Sequence, residues 1–401
     1  LEDYYGNTLF DTTFIHNGRV SPSEGYCTDA LFDRAISYIE AHRDERFFCY
    51  LPTPVTHSPH RGPKDLVAQL KAKGIGRNAE LFAQVQNLDA NIGRLMKALE
   101  STGLVKNTIL IYASDQGMND RGSPQGGNRL GLGFDPAHHV PFMIRVPGAK
   151  PAVSTRLAGM IDLFPTLLDF CGVERPKDCD GLSLRPLIQA TTGYPVDRTL
   201  IIQCPRSRTA VKWKNASVKT DRWRLVDGTM LYDAQKDPRQ TTDVAADHPK
   251  VVAALRAKYE RFWSDLPEPE TTWSRHILGA KECQSVTLNA MDWYRGARPW
   301  NSRDYQRAGN GAWPVTIARD GRYRFECRRF PREAKKAAEA THAKIRIGES
   351  TAETEISADA TKATFELDLK AGEYDLETWL TVGGKARGAL WVYVKQLSSR
   401  S

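Results

Sequence analysis

Six residues, Thr108-Ile-Leu-Ile-Tyr-Ala113, make an apolar run of buried-strand length. Directly before it, Asn78–Thr102 carries Leu81, Val85, Leu88, Ile92, Leu95 and Leu99 at helical spacing, and Gly103 supplies a stop. A long amphipathic helix that hands over to a buried strand restricts the chain more than any other feature, because it calls for layered helices and sheet. The alternation continues on both sides. Thr28–His42 reads as an amphipathic helix capped by Thr28 or Asp29, and Arg46–Leu51 as a short strand stopped by Pro52. Val140–Val146 reads as another strand, and Arg156–Cys171 as a helix ended by Gly172. Helices alternating with hydrophobic strands predict an α/β unit with a largely parallel sheet.

From Thr199 the texture changes. Short strands at Leu200–Gln203, Ser217–Lys219, Trp223–Val226 and Met230–Tyr232, then a helix near Lys250–Leu266, predict a small α+β subdomain. Pro267-Glu-Pro-Glu270 reads as a linker. Beyond it, seven strand-like segments between Ser285 and Val394 predict a β-sandwich or jelly-roll-like domain. The expected division is therefore 1–198, 199–266 and 267–401. Trp293, Trp300, Trp313, Trp379 and Trp391 of the last part read either as core aromatics or as a platform for sugar rings.

The 401 residues carry a formal charge of +8, which favours acidic partners. Lys and Arg are scattered, so no nucleic-acid footprint is expected. No run approaches the roughly 18 apolar residues of a membrane span, and no membrane partner is expected. Seven cysteines show no metal spacing. Cys171 and Cys179 read as a small disulfide loop or, with the others, as apolar fillers.

Chemistry concentrates in two loops. Ser114-Asp-Gln-Gly117 follows the Thr108–Ala113 strand, at the carboxyl edge where α/β sheets bind ligands. Asp115 and Gln116 offer hard oxygen donors for Ca²⁺ or Mg²⁺, with Gly117 allowing a sharp turn; the same residues also fit an ordinary turn. His57, in Thr56-His-Ser-Pro59, is placed to give a proton to a leaving group or anionic oxygen, or is a plain loop residue. His60, His138 and His139 are further candidates.

In order along the chain, these segments resemble the sulfatase family of the alkaline-phosphatase-like superfamily. The resemblance rests on Gly25-Tyr-Cys-Thr-Asp29, Thr56–Pro59, Ile111–Gly117, Phe134-Asp135, Val140–Gly148, Asp162–Leu168 and Asp180–Leu184. It continues through Leu231–Asp233, Asp237–Gln240 and the Tyr259–Trp263 helix, and so covers roughly residues 1–265. It implies an alkaline-phosphatase-like mixed sheet with flanking helices, N-terminally incomplete, and hydrolysis of sulfate monoesters by a formylglycine/Ca²⁺ mechanism. Asp115 and Gln116 would be metal ligands and His57 the general acid. The family's lysine position falls near Leu130, with Arg129 the nearest cation, a planar fork where an ammonium is usual. His139 stands where the family usually has arginine. The formylglycine motif, Cys/Ser-X-Pro/Ala-X-Arg, and the family's Asp-Asp pair do not occur in the sequence, and both are expected upstream of Leu1. The implied substrate is a sulfated small molecule or polysaccharide, and the implied address is periplasmic or extracellular. A second reading, prompted by Leu130 and Asp135-Pro-Ala137, is a sulfatase-like protein that holds sulfated glycans without cleaving them. A third is a phosphate-ester hydrolase of the same superfamily.

Overall fold

The computed structural model describes residues 8–117, 133–204, 210–266, 273–296, 299 and 309–397. The chain forms two compact units, one of residues 1–102 with 273–401 and one of residues 103–272.

In the first unit, β1 (Thr13–His16) and β2 (Arg19–Pro22) form an antiparallel hairpin. Its turn, Asn17-Gly18, has positive φ at both residues, as a tight hairpin turn requires; that dipeptide is a signal from which the hairpin could have been read. Helix α1 (Cys27–Ala41) buries Phe32, Ala35 and Ile39. Its N-cap is Tyr26, not Thr28 or Asp29. Thr28 is buried one position inside the helix, and Asp29 is occupied across a helix pair. Helices α2 (Lys64–Ala72) and α3 (Ala79–Ser101) pack through Val67, Leu70, Ala79 and Ala83. Gly103 follows α3 in the left-handed region, so the expected stop holds. The buried face of α3 keeps Leu88, Leu95 and Leu99 of the apolar stripe and extends to Gln84, Asn87 and Asn91, while Val85 is 48% exposed. Asp29 explains the polar extension: one of its carboxylate oxygens accepts from Asn87 Nδ2 at 2.8 Å and Asn91 Nδ2 at 2.6 Å. Arg94 extends the seam to Asn91 Oδ1 and pairs with Asp33.

Arg46–Leu51 is not a strand. It runs through irregular backbone, with Phe48 77% and Tyr50 78% exposed. An apolar run becomes a strand only where another strand offers a hydrogen-bond ladder, and none of the described residues does so here.

The same unit holds two sheets around one core. Strands β10 (Ser285–Asn289), β13 (Gly321–Arg328), β16 (Ala363–Leu369) and β19 (Trp391–Gln396) pair in the order β10-β19-β13-β16. The second sheet takes β11 (Arg295–Gly296), β12 (Gly311–Ile317), β17 (Gly372–Val382), β14 (Ala340–Ile347) and β15 (Ser350–Glu355) in that order. Two short strands attach to it. β9 (His276–Leu278) pairs with β12 in parallel, and β18 (Lys385–Arg387) pairs with β17. Alternate residues point inward, so Trp313, Tyr323, Phe325, Cys327, Ile345 and Leu376 fill a shared core, the arrangement of a β-sandwich. Trp293, Trp313 and Trp391 are buried there, which makes them core residues and not a sugar platform. Trp300 lies outside the described residues. Trp379, on β17, is only half-buried.

In the second unit, β3 (Leu110–Ala113) and β4 (Phe142–Arg145) pair antiparallel, with Ala113 opposite Phe142. The largely parallel sheet expected here is, among the described residues, this antiparallel pair alone. Helix α4 (Leu163–Phe170) is shorter than Arg156–Cys171, because residues 156–159 are extended or bent and Met160–Asp162 forms a 3-10 turn. Gly172 follows it at positive φ, as expected. After α5 (Arg185–Ile188), β5 (Leu200–Gln203), β6 (Ala216–Lys219), β7 (Trp223–Val226) and β8 (Met230–Asp233) form an antiparallel meander. Helix α6 (Pro249–Ser264) buries Leu255 and Tyr259 against Val218, Leu225 and Leu231 of that sheet. The linker reading at Pro267–Glu270 lies outside the described residues. All seven cysteines are free thiols, so Cys171 and Cys179 close no loop. No helix among the described residues is long and apolar enough to cross a membrane.

Candidate active site

Strand β3 delivers Ser114–Gly117 at its carboxyl end. Ser114 Oγ donates to the carbonyl of Gln116 at 2.9 Å, and Gln116 N–H donates to Asp115 Oδ1 at 2.9 Å. These bonds hold the loop while both side chains stay exposed. The second carboxylate oxygen of Asp115 and the amide of Gln116 have no partner among the described residues. Gly117 serves a close approach and not the sharp turn expected of it. Its N–H donates to Ala137 O at 2.9 Å, and a Cβ at this position would lie 2.2 Å from Pro136 O. The loop therefore rests on the 3-10 turn Asp135–Ala137.

That turn is fixed by a buried ionic cluster. Asp135 pairs with Lys219 Nζ at 2.6 Å and with Arg224 Nε at 3.0 Å, and its N–H donates to Gln240 Oε1 at 2.8 Å. Lys219 also donates to His138 Nδ1 at 2.7 Å, which assigns the lone pair to that ring nitrogen. Burial opposes the charge on both Asp135 and Lys219. At Asp135 two cations outweigh it, and the carboxyl is held below the usual range. At Lys219 the one carboxylate is shared with Arg224, and the ammonium sits below the usual lysine range.

A second buried pair braces the same unit. Asp162 and Arg198 meet at 2.5 and 2.7 Å in a bidentate pair, with almost no exposure. Asp162 also accepts from Gly159 N–H at 2.7 Å and Leu182 N–H at 2.9 Å, while Thr166 Oγ1 accepts from Leu184 N–H at 2.9 Å. Between these bonds Gly181 crosses Ile161, where a Cβ would stand 1.9 Å from a carbonyl oxygen. Asp162–Leu168 and Asp180–Leu184, separate segments in sequence, are thus two halves of one clasp.

His57 lies in the first unit, exposed, on a loop in which its N–H donates to Pro54 O at 3.0 Å. Its Nδ1 donates to Ser58 O at 2.5 Å, which orients the ring and leaves Nε2 as the nitrogen that can exchange a proton. Asp115 and Gln116 lie together on one loop of the second unit. His60 is tied by Nδ1 to Gln84 of α3 at 3.2 Å, and His139 is exposed. Arg129 and Leu130 lie outside the described residues. Lys219, Arg224 and Arg198 escaped the sequence reading, since nothing local marks a cation whose partner is 36 to 89 residues away.

A Ca²⁺ ion takes six to eight oxygens. Asp115 and Gln116 supply two side-chain donors, one already sharing an oxygen with Gln116 N–H, and no group of three metal-ligating His, Cys, Asp or Glu side chains occurs among the described residues. The donors described here do not by themselves fit the ion.

The mixed α/β architecture is alkaline-phosphatase-like. Ps i-CgsB shares it at a TM-score of 0.56 and 20% identity, covering 64% of this chain and 59% of that one. The putative sulfatase yidJ of Bacteroides fragilis gives a TM-score of 0.53 at 18% identity, covering 66% of this chain and 64% of that one. Residues 1–173 match the family model described as Sulfatase, and residues 131–264 match N-sulphoglucosamine sulphohydrolase, C-terminal. Among curated relatives, N-acetylgalactosamine-6-O-sulfatase of Bacteroides thetaiotaomicron is 28% identical over 57% of this chain and 49% of its own length. Arylsulfatase K of Rattus norvegicus is 29% identical over 56% of this chain and 42% of its own. The chain spans about half, or less, of the length of these curated relatives. Between them, the two models make residues 1–264 similar to sulfatases.

Proposed function

We infer that the protein hydrolyses sulfate monoesters carried by a sugar. The observation that carries this reading is the Ser114–Gly117 loop: an exposed carboxylate and amide, held by their own turn and seated without slack on the Asp135 cluster. Such fixed hard-oxygen donors suit a divalent cation, which would offset the negative charge of a tetrahedral ester, and the similarity to N-acetylhexosamine sulfatases supports sulfate as that ester. Asp115 and Gln116 are read as two ligands of a divalent cation, Ca²⁺ or Mg²⁺, the remaining oxygens coming from residues other than those described. His57 gives its Nε2 proton to the departing alcohol, with Ser58 O holding the ring. Arg129 is read as the positive charge beside the sulfate. The nucleophile of this reading, a formylglycine, belongs to a motif that the 401 residues do not contain, so the test uses the natural protein that carries this sequence. An exported, periplasmic or extracellular, address accords with such a substrate.

Sulfate release from 6-O-sulfated N-acetylhexosamines and from an aryl sulfate is the direct assay. Turnover is expected, with His57→Ala lowering kcat by about a hundredfold while KM changes little, as for loss of a proton donor. Asp115→Ala is expected to abolish measurable turnover. Retention of sulfated sugar without release would favour the non-hydrolytic reading. Faster cleavage of the matched phosphate esters would favour a phosphate-ester hydrolase.

A further inference from the structure

Trp379 is a half-buried indole on the outer face of the larger sandwich sheet, where it contributes nothing to the shared core. Its neighbours on β17, Thr378 and Leu380, point inward and are buried, whereas Glu377, Trp379 and Thr381 face out. On β14, Lys344 stands directly across the ladder from Trp379, with Arg346 opposite Glu377 and His342 opposite Thr381. The Lys344 ammonium and the Arg346 guanidinium lie over the indole ring, at 6.0 and 5.6 Å from its centre. With Thr351 and Thr381 these side chains line an open groove of about 330 Å³. Among the described residues no carboxylate lines it. Glu353 lies 3.7 Å from Lys344 and Glu377 pairs with Arg346, both from beside the groove.

We propose that this groove is a binding subsite for a sulfated saccharide, separate from the Ser114–Gly117 loop. The inference rests on the sulfated-sugar reading given above and extends it to a part of the chain that the family matches do not reach. A pyranose ring lays its C–H face on an aromatic face, and Trp379 is the large aromatic ring among the groove's lining residues, His342 adding an imidazole. Lys344 and Arg346 stand where a sulfate on that sugar would project; Glu377 holds Nε and Nη2 of Arg346, so its Nη1 side is the one turned to an oxyanion. The threonine hydroxyls and His342 supply hydrogen bonds to ring hydroxyls. A single large ring favours one sugar over a run of stacked bases, which needs successive platforms. The effect of the groove is retention: it keeps a polymeric substrate at the protein between turnovers and raises its local concentration.

The test is affinity gel electrophoresis of the full chain through gels containing heparin, chondroitin sulfate or ι-carrageenan, each beside its desulfated form, with a mixed-sequence single-stranded DNA gel as comparison. At least one sulfated polymer is expected to retard the protein, with its desulfated form at least tenfold weaker. Trp379→Ala is expected to weaken that retention about tenfold and Trp379→Phe by less. Lys344→Gln with Arg346→Gln should weaken it at least as much as Trp379→Ala. Unaltered far-ultraviolet circular dichroism identifies the variants that remain folded. The proposal is overturned if none of the three polymers retards the chain, or if Trp379→Ala and Trp379→Phe both bind like wild type. Loss on removing the cations alone means unspecific charge attraction, and stronger retardation by DNA means a nucleic-acid surface; either outcome overturns it too. Hydrolysis that persists while retention ignores Trp379 sinks this subsite alone. Retention that depends on Trp379 in a protein that releases no sulfate sinks the hydrolase reading alone.

Discussion

Replacing Asp162 with alanine should lower stability by about 3–5 kcal/mol, the usual cost of leaving one member of a buried ion pair alone. The Arg198 guanidinium would keep its buried position and lose both carboxylate oxygens. Gly159 and Leu182 would lose the acceptors for their N–H groups, each worth about 1–3 kcal/mol if left unsatisfied. A loss of this size is a large part of a typical domain's total of about 5–15 kcal/mol. Urea unfolding followed by circular dichroism measures it. The double variant Asp162→Leu with Arg198→Met separates the two contributions. It removes the stranded charge and should recover part of the loss, but not the part due to the two backbone donors. A change below about 1 kcal/mol in Asp162→Ala would mean that water reaches Arg198 and that the clasp is not structural.

The second large effect belongs to Asp135. Asp135→Ala would leave Lys219 and Arg224 buried side by side without an anion, at a cost again of about 3–5 kcal/mol. Because Gly117 sits on Pro136 and Ala137, the loss should also displace Asp115 and reduce any turnover. The acid dependence has a definite sign. The folded carboxyl is held below the usual value, so its contribution is fully present above the unfolded value near pH 4 and is lost as pH falls through the folded one. Wild type should therefore lose stability below about pH 4, with up to about 1.4 kcal/mol per pH unit coming from this one proton. Asp135→Asn should be less stable near neutrality and should show a shallower acid slope. Parallel slopes in the two proteins would assign the acid sensitivity to other carboxylates.

Local rules carried part of this structure in readable form. The helices Cys27–Ala41, Ala79–Ser101 and Pro249–Ser264, the meander from Leu200 to Asp233 and the alternating strands beyond Ser285 all follow their hydrophobic periods. Those periods depend only on neighbours a few residues away. Where a distant partner decides, the reading failed. Asp29 looked like a cap but reaches across to Asn87 and Asn91, and so adds a buried polar seam beside the apolar stripe of α3. Phe47, Phe48 and Tyr50 looked like a strand, but strand pairing is a property of two segments. At the site, the Asp115-Gln116-Gly117 pattern was visible because strand, donors and glycine are contiguous. The cations behind it were not, since Lys219 and Arg224 lie on strands of another sheet. Trp379 was readable as an aromatic, but only the ladder shows it facing away from the core.

The seating of Gly117 on Pro136 has one further consequence. Gly133, at the far side of the intervening sequence, is also held closely, since a Cβ there would meet Val226 at 2.9 Å and Ala216 O at 3.0 Å. Both anchors of residues 118–132 are thus set by glycines with no room for a methyl group. A Gly117→Ala change should therefore shift the loop that carries the Asp115 carboxylate although it alters no donor atom.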